Sequence, residues 1–180
     1  MQTCLDPTEY EPMTQTPREE ARDEMLVCFI CTGNTCRSPM AAAVANAIAA
    51  EAKTGKRVRA WSAGLYAGEG DPISRHSVKA LEQAGVKPQT GMDYHDHRAH
   101  TVTAEEAERA DLLVGLTGAH CMELFMRFPQ AAARITSMPM AISDPYGGDL
   151  ATYERCLAEI TEGVRELLFA DRAEGDGHDG

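Results

Sequence analysis

Short apolar runs alternate with helical patterns along this sequence. Residues 25–30, Met-Leu-Val-Cys-Phe-Ile, form a continuous apolar run, which is typical of a strand buried on both faces of a parallel sheet. Pro39 fits the first position of a following helix, because the N–H that proline lacks is unpaired there anyway, and strong helix formers continue to about Lys53. The pattern therefore predicts a strand, a loop and a helix, with residues 25–30 as the central strand.

The same alternation continues to the end of the chain. Gly85 is typical of a residue that ends a helix, and Thr103 with Glu106 has the spacing of a capping box that begins one. Apolar residues at spacings of three and four between Leu150 and Leu167 predict a last helix that packs on the core. We predict the remaining strands at 58–62, 111–116 and 134–137, and the remaining helices at 74–84, from 103 onward, and at 118–128.

This order of elements predicts the fold class. Strands that alternate with helices imply right-handed crossovers and a parallel sheet. We predict an α/β fold, a three-layer sandwich with a central four-stranded parallel sheet and helices on both faces. A chain of 180 residues, of which 43% are apolar, fits one such domain. We assign the domain to residues 25–170 and expect flexible tails at 1–24 and 171–180, because both ends are polar and aperiodic.

Net charge and the distribution of apolar residues argue against several classes of protein. The formal net charge of -11 argues against a nucleic-acid partner, since binding to a phosphate backbone requires a basic face. The longest apolar stretch, residues 40–50, is too short to span a membrane, and residues 1–24 lack the pattern of a signal peptide. The six cysteines are expected to be free thiols. We therefore expect a cytoplasmic protein, monomeric or weakly dimeric, that binds neither nucleic acid nor membranes.

Candidate chemistry lies in the loop after the first predicted strand. Residues 31–39 read Cys-Thr-Gly-Asn-Thr-Cys-Arg-Ser-Pro and lead from the carboxyl end of the strand to a helix, where parallel sheets bind their ligands. Gly33 and Asn34 tolerate positive φ, so we expect a tight loop whose N–H groups form a nest for a tetrahedral dianion. Arg37 can complete the nest with two parallel hydrogen bonds. These groups favour the thiolate of Cys31, to which Ser38 can donate.

Two other interpretations of the cysteines are weaker. Cys31 could be an ordinary buried apolar side chain, the usual place of a free cysteine, but Arg37 and the surrounding turn residues favour a site. Cys28, Cys31 and Cys36 could be metal ligands, but Cys28 should lie inside the strand and no fourth ligand follows at the required spacing. The histidines between residues 95 and 100 lie in a polar loop and are expected to be solvated. We predict neither a metal nor a cofactor.

Three segments resemble one known family. Residues 27–41, Val-Cys-Phe-Ile-Cys-Thr-Gly-Asn-Thr-Cys-Arg-Ser-Pro-Met-Ala, resemble the signature of low-molecular-weight protein phosphatases. Residues 62–64, Ser-Ala-Gly, resemble the end of that family's second strand, and residues 144–148, Asp-Pro-Tyr-Gly-Gly, resemble its acid loop. The resemblance covers about residues 25–170. Taken alone, an Asp-Pro beside two glycines more often forms a turn.

The resemblance implies a protein phosphatase that works through a phosphocysteine intermediate. It implies that Cys31 is the nucleophile, Arg37 the phosphate clamp and Asp144 the proton donor. Phosphorylated protein substrates, and phosphate or other oxyanions in the loop, are the implied partners. Cys36 either packs the loop or forms a protective disulfide with Cys31. The implied substrate-binding residues are Thr32, Gly33, Asn34, Thr35, Cys36, Ser38 and Tyr146.

The residue between Asn34 and Cys36 bears on which phosphorylated side chain is hydrolysed. Tyrosine-selective relatives usually have an aliphatic residue there, whereas this chain has Thr35. Bacterial protein-arginine phosphatases resemble this chain in the loop after the first strand and in an acid loop of Asp-Pro-aromatic-Gly-Gly. Gly147 stands where tyrosine-selective relatives often have a second aromatic residue that flanks the phosphotyrosine. We predict a protein-arginine phosphatase. A tyrosine phosphatase is the main alternative, followed by an arsenate reductase and a phosphoprotein-binding module without turnover.

Overall fold

A parallel sheet of four strands is the frame of the molecule. The computed structural model describes residues 24–52 and 57–170. The strands are β1 (Glu24–Cys31), β2 (Arg57–Gly64), β3 (Leu112–Gly115) and β4 (Ile135–Ser137). They are parallel and lie in the order β2-β1-β3-β4, so the first predicted strand is an inner strand, as expected. The carboxyl ends of β1 and β3 are therefore neighbours.

In the described part of the chain, four α-helices lie between successive strands and a fifth follows β4. They are α1 (Arg37–Glu51), α2 (Arg75–Gln83), α3 (Ala104–Arg109), α4 (Gly118–Arg127) and α5 (Leu150–Val164). Two 3₁₀ turns lie at Tyr94–Asp96 and Pro129–Arg134, and α5 continues into a π-helical turn at Arg165–Phe169. The capping box at the start of α3 and the positive φ of Gly85 after α2 confirm the predicted ends of these helices. None of the helices in the described ranges is long and apolar enough to cross a membrane.

The helices cover both faces of the sheet because the side chains of β1 alternate between two cores. Val27 and Phe29 belong to the core formed with α1, α2 and α5. Cys28 and Ile30 belong to the second core, formed with α3 and α4. All four side chains are fully buried, as the unbroken apolar run predicts. The three-layer α/β sandwich is thus confirmed.

The first helix begins two residues before the predicted position. Cys36 is its N-cap, Arg37 is its first residue, and Pro39 stands third rather than first. Proline fits there too, because none of the first four N–H groups of a helix has an acceptor within the helix. Met40 donates its N–H to the carbonyl of Cys36 at 3.2 Å. Arg37 and Ser38 therefore lie on the rigid first turn of α1.

The predicted start of the domain, at residue 25, can be compared with the start of β1. Glu24, which we assigned to the N-terminal tail, is the first residue of β1 and pairs with Arg57 of β2. The rest of that tail, residues 1–23, lies outside the described residues, as does the C-terminal tail at 171–180. Lys53, the predicted end of the first helix, lies outside them as well, and α1 ends at Glu51.

A buried asparagine joins α1 to the edge strand β2. Asn46 interrupts the alanine-rich run of α1 and is 5% exposed. Its amide nitrogen donates to the carbonyl of Ala60 at 2.8 Å, and its amide oxygen accepts the N–H of Ala60 at 2.8 Å. Edge strands leave such backbone groups unpaired. From its position in α1, Asn46 therefore provides hydrogen-bond partners for the N–H and carbonyl of Ala60 at the outer edge of the sheet.

Candidate active site

The loop between β1 and α1 surrounds a pocket of about 290 Å³ at the carboxyl end of the sheet. Its position follows from the topology, since β1 ends at Cys31 and α1 begins at Arg37. Two residues of a distant loop, Asp144 and Tyr146, line the mouth. The pocket thus unites the residues that the sequence singled out, apart from Ser38, and its lining is Cys31, Thr32, Gly33, Asn34, Thr35, Cys36, Arg37, Asp144 and Tyr146.

Cys31 lies at the end of β1 and is 3% exposed. Its sulfur accepts the backbone N–H of Asn34 at 3.3 Å, and Oγ of Ser38 lies 3.0 Å from it. The Ser38 hydroxyl can donate either to this sulfur or to the carbonyl of Ala63 at 3.3 Å, and the contact with the sulfur is the shorter. Ser38 therefore contacts the sulfur from behind the pocket rather than lining it.

Asn34 holds the loop in shape through both ends of its side chain. Its amide nitrogen donates to Oγ of Ser38 at 2.9 Å and to Oγ of Ser62 at 3.0 Å, while its amide oxygen accepts the N–H of His100 at 3.1 Å. Asn34 also adopts the left-handed conformation, with φ of 58°. Gly33 was expected to share that conformation, but it does not have positive φ. One left-handed residue is enough to close this turn.

Two histidines that we expected to be solvated are part of the support of the loop. His97 is half-buried, and its Nε2 donates to the carbonyl of Asn34 at 2.7 Å. Burial lowers the pKa of His97, which keeps the ring neutral. His100 is also half-buried, and the hydrogen bond that its Nε2 donates to the carboxylate of Glu106 at 2.7 Å raises its pKa. The expectation was wrong because a polar loop can still fold back onto a site.

Gly64 lets the second strand approach the loop closely. A Cβ at this position would lie 2.7 Å from the carbonyl oxygen of Thr32. The chain after Gly64 then binds the loop, because Leu65 donates its N–H to the carbonyl of Cys31 and Tyr66 donates to that of Thr32, both at 2.9 Å. The Ser-Ala-Gly segment therefore matters for backbone packing against the loop.

Arg37 and Asp144 face each other across the pocket. Nη2 of Arg37 lies 3.3 Å from Oδ2 of Asp144, and the Arg37 side chain is 9% exposed while that of Asp144 is 59% exposed. The other carboxylate oxygen of Asp144 accepts the N–H of Tyr146 at 3.1 Å, so the segment is also the turn that its composition favours. The Tyr146 side chain is 82% exposed at the rim. The carboxyl group is thus fixed by its own loop and remains open to solvent.

Thr35 and Cys36 form the wall of the pocket next to α1. The carbonyl of Thr35 accepts the N–H of Ser74, the N-cap of α2, at 2.8 Å, and its hydroxyl lies 3.7 Å from the sulfur of Cys36. Cys36 is buried, and its sulfur lies 3.3 Å from the hydroxyl of Tyr153. Burial, with a smaller effect of Cys36, raises the pKa of Tyr153 to about 12. Cys36 therefore packs the loop against α5, while its disulfide with Cys31 stays a prediction.

His120 contacts Thr32, a residue of the pocket lining, from α4, and sequence reasoning missed it. Its Nε2 lies 3.1 Å from Oγ1 of Thr32, and the residue is 6% exposed. Burial, and then the charge of Arg37, lower the pKa of His120 to about 4. The available signal was positional, because α4 follows β3, whose carboxyl end lies beside that of β1.

The cysteines of the described chain are free thiols on different faces of the sheet. Cys31 and Cys36 belong to the first core, whereas Cys28 and Cys121 belong to the second. Burial raises the pKa of Cys28 well above its ordinary value, as expected of an inert core thiol. In residues 24–52 and 57–170, no three histidine, cysteine or acidic side chains are grouped so that they could hold a metal ion.

Comparison with known proteins gives consistent matches. The family model of the low molecular weight phosphotyrosine protein phosphatases matches residues 26–175. A protein-arginine-phosphatase of Geobacillus stearothermophilus is 31% identical over 141 residues, which are 74% of this chain and 87% of the relative. The crystal structure of a low molecular weight protein tyrosine phosphatase from T. tengcongensis superposes with a TM-score of 0.71 at 35% identity, covering 79% of this chain and 97% of the other.

One further match bears on the chemistry. It is a variant of the arginine phosphatase YwlE in which a cysteine is replaced by serine and the active-site serine is phosphorylated. Its TM-score is 0.71 at 30% identity, and the alignment covers 82% of this chain and 98% of that protein. In that variant, an active-site side chain thus carries the phosphoryl group.

Proposed function

Because the chain belongs to the low molecular weight phosphotyrosine protein phosphatase family, we propose that it uses Cys31, Arg37 and Asp144 to hydrolyse phosphoarginine in proteins. The protein is a hydrolase, a phosphatase that acts on phosphorylated protein substrates. The observation that carries the proposed mechanism is the pocket itself. A buried thiol, a guanidinium and an accessible carboxyl group line one cavity of about 290 Å³.

In the first step, the sulfur of Cys31 attacks phosphorus in line with the leaving group. The S–P bond forms as the P–N bond of phosphoarginine breaks, and the leaving nitrogen takes a proton from the carboxyl group of Asp144. The loop N–H groups and Arg37 hold the three equatorial oxygens, which is the main catalytic need of phosphoryl transfer. Ser38 and the N–H of Asn34 stabilise the thiolate through the contacts at 3.0 and 3.3 Å.

In the second step, water hydrolyses the phosphocysteine. Asp144, now a carboxylate, accepts a proton from the attacking water, the S–P bond breaks, and Cys31 leaves as a thiolate together with inorganic phosphate. The exposure of Asp144 supports this role, because water and the leaving group both reach it from the mouth. Proton transfer of this kind typically accelerates a step by about 10²- to 10⁴-fold.

The choice of phosphoarginine rests on the pocket wall and the rim. Thr35 places a hydroxyl beside the cavity, and a guanidinium can hydrogen-bond to it, whereas the apolar face of a phenol ring cannot. Gly147, with φ of 77°, follows Tyr146 without adding a second aromatic ring. The similarity to protein-arginine phosphatases supports the same assignment. We also place the enzyme in the cytoplasm, as a monomer or weak dimer.

Phosphotyrosine is the second candidate substrate. The observation that favours it is the exposed ring of Tyr146 at the rim, since aromatic rings stack on one another. Tyrosine phosphatases are also among the similar proteins. Arsenate reduction is less favoured, because it would pass oxidation along further cysteines, and Cys121 and Cys156 donate to backbone carbonyls on other elements.

The test compares two peptides that differ in their phosphorylated residue alone. We expect a higher kcat/KM for release of phosphate from the phosphoarginine peptide than from the phosphotyrosine peptide, measured by ³¹P NMR at neutral pH so that the P–N bond survives. A preference for the phosphotyrosine peptide would overturn the substrate assignment. Absence of turnover on both peptides and on p-nitrophenyl phosphate would indicate a binding module instead.

A further inference from the structure

His120 and Thr32 form a contact that the proposed chemistry does not yet use. Thr32 follows Cys31 in the loop, and its exposed side chain lines the pocket. Nε2 of His120 lies 3.1 Å from its hydroxyl oxygen. The backbone of Thr32 is held by the N–H of Tyr66 at 2.9 Å. A buried imidazole therefore contacts the hydroxyl of Thr32, a residue whose backbone is fixed and whose side chain lines the pocket.

Thr117 contacts the other ring nitrogen of His120, Nδ1. It is the N-cap of α4, and its hydroxyl oxygen accepts the backbone N–H of His120 at 3.4 Å. The same oxygen lies 3.0 Å from Nδ1 of the ring. The hydroxyl of Thr117 has one hydrogen to donate, and Nδ1 is an acceptor 3.0 Å away. When that hydrogen is donated to Nδ1, the single N–H of the neutral imidazole lies on Nε2.

The proton on Nε2 decides what the Thr32 hydroxyl offers to the pocket. If Nε2 donates to Thr32, the hydroxyl hydrogen of Thr32 is free to point at a phosphoryl oxygen. If Nε2 accepted from Thr32 instead, lone pairs of the hydroxyl would face the anion and repel it. Burial and the nearby charge of Arg37 keep the ring neutral, while Asp144 has a smaller opposite effect. At neutral pH, the position of the single ring proton therefore determines whether the Thr32 hydroxyl can donate to a phosphoryl oxygen.

We propose that His120 is a positioning residue that turns the hydroxyl of Thr32 toward the bound phosphoryl group. Thr32 then adds one side-chain donor to the backbone N–H groups and to Arg37. The inference rests on the proposed function in one respect, since it takes a phosphoryl oxyanion as the occupant of the pocket. Because a hydrogen bond to a charged oxygen contributes about 1.5 kcal/mol or more, roughly ten-fold in affinity depends on it.

The first test reads the tautomer directly. Long-range ¹H–¹⁵N correlation NMR of the wild-type protein at neutral pH distinguishes a ring protonated at Nε2 from one protonated at Nδ1. We expect the Nε2–H form for His120. The Nδ1–H form would overturn the proposal. This measurement needs no turnover, so its failure would leave the phosphatase assignment untouched.

The second test measures the affinity for inorganic phosphate as a competitive inhibitor of p-nitrophenyl phosphate hydrolysis. We expect His120→Leu and Thr32→Val each to weaken phosphate binding by roughly ten-fold. His120→Gln should restore most of the affinity, since its amide can donate to Thr32, and Thr32→Ser should keep it, since the hydroxyl remains. The double variant Thr32→Val/His120→Leu should bind no more weakly than either single variant.

Two results would overturn this part of the proposal. Losses that multiply in the double variant would show that His120 does not act through the hydroxyl of Thr32. An unchanged phosphate affinity of Thr32→Val would do the same, and this variant decides the question even if His120→Leu fails to fold, because the Thr32 side chain is exposed. Wild-type protein that shows the Nε2–H form in the NMR measurement but no turnover would contradict the phosphatase assignment alone.

Discussion

The guanidinium of Arg37 lies 3.3 Å from the carboxylate of Asp144, although the two residues belong to the first helix and to the loop before the last one. Arg37 is held by the first turn of α1 and is almost fully buried, whereas the Asp144 side chain is mostly exposed. A phosphoryl group inside the loop competes with Asp144 for the same guanidinium. In the proposed mechanism, binding of substrate therefore frees the carboxyl group for proton exchange with the leaving group.

Asp144→Asn should reduce kcat by about 10²- to 10⁴-fold, because it removes the proton donor while Cys31 and Arg37 stay in place. The loss should be larger for phenyl phosphate than for p-nitrophenyl phosphate, since the nitrophenolate needs less help in leaving. Steady-state kinetics on both substrates measure it. Asp149→Asn is the matched control, because Asp149 caps α5 and the amide can keep the cap. Equal activity of the two variants would remove Asp144 from the mechanism.

Thr35→Ile should shift the preference of the enzyme from phosphoarginine toward phosphotyrosine. The substitution replaces a hydroxyl beside the cavity with apolar surface, which suits a phenol ring better than a guanidinium. The ratio of kcat/KM for the two peptides is the quantity to measure. Thr35→Ser, which keeps the hydroxyl, is the control. An unchanged ratio in Thr35→Ile would show that this wall does not select the substrate.

His120 should make the folded protein less stable at acidic pH. Burial, and then Arg37, lower its pKa from 6.5 to about 4. As the pH falls below 6.5, the unfolded chain therefore binds a proton at this histidine. The folded chain binds it only when the pH approaches 4. The stability that the neutral, buried ring contributes is complete above the pKa of the unfolded state and is lost as the pH falls through the pKa of the folded state. This contribution is on the order of 3 kcal/mol.

Urea unfolding of the wild type and of His120→Gln across this pH range checks that expectation. The difference between their free energies of unfolding should shrink as the pH is lowered toward 4. His95→Gln is the control, because hydrogen bonds that its ring donates to the carboxylates of Glu82 and Asp93 raise the pKa of the exposed His95. It should retain the acid sensitivity of the wild type. A constant difference between wild type and His120→Gln would contradict the burial argument.

Asn46→Ala should lower the free energy of unfolding by about 2 to 4 kcal/mol, because the N–H and carbonyl of Ala60 then lose their partners at a buried position. The midpoint of urea unfolding measures the loss. Gln83→Ala removes an exposed amide near the end of α2 and should change stability by less than about 0.5 kcal/mol. A similarly small change in Asn46→Ala would mean that water replaces the amide at this edge.

Much of the fold was predictable because its signals are local. The apolar run before Cys31, the capping box of Thr103 and the stop at Gly85 each depend on a few adjacent residues. The rule that parallel sheets bind ligands beyond their carboxyl ends then placed the loop. The start of α1 was misplaced by two residues, because proline suits several positions of a first turn.

The parts that escaped prediction depend on contacts between distant segments. His97 binds the carbonyl of Asn34 from a polar loop without periodicity. His120 approaches Thr32 only because β3 is the neighbour of β1. Asp144 could be singled out through family resemblance, since its own composition is that of an ordinary turn, which it also forms. Long-range pairing of this kind leaves no local pattern in a single sequence.

The proposed mechanism depends on covalent chemistry at the sulfur of Cys31. The most direct measurement is the kcat of Cys31→Ser for p-nitrophenyl phosphate, beside Cys121→Ser, whose thiol lies in the second core and bonds the carbonyl of Thr136. We expect Cys31→Ser to keep its fold and lose turnover, because a hydroxyl has nearly the volume of a thiol but far lower acidity, while Cys121→Ser stays active. Turnover of Cys31→Ser within a few-fold of the wild type would contradict the phosphocysteine mechanism.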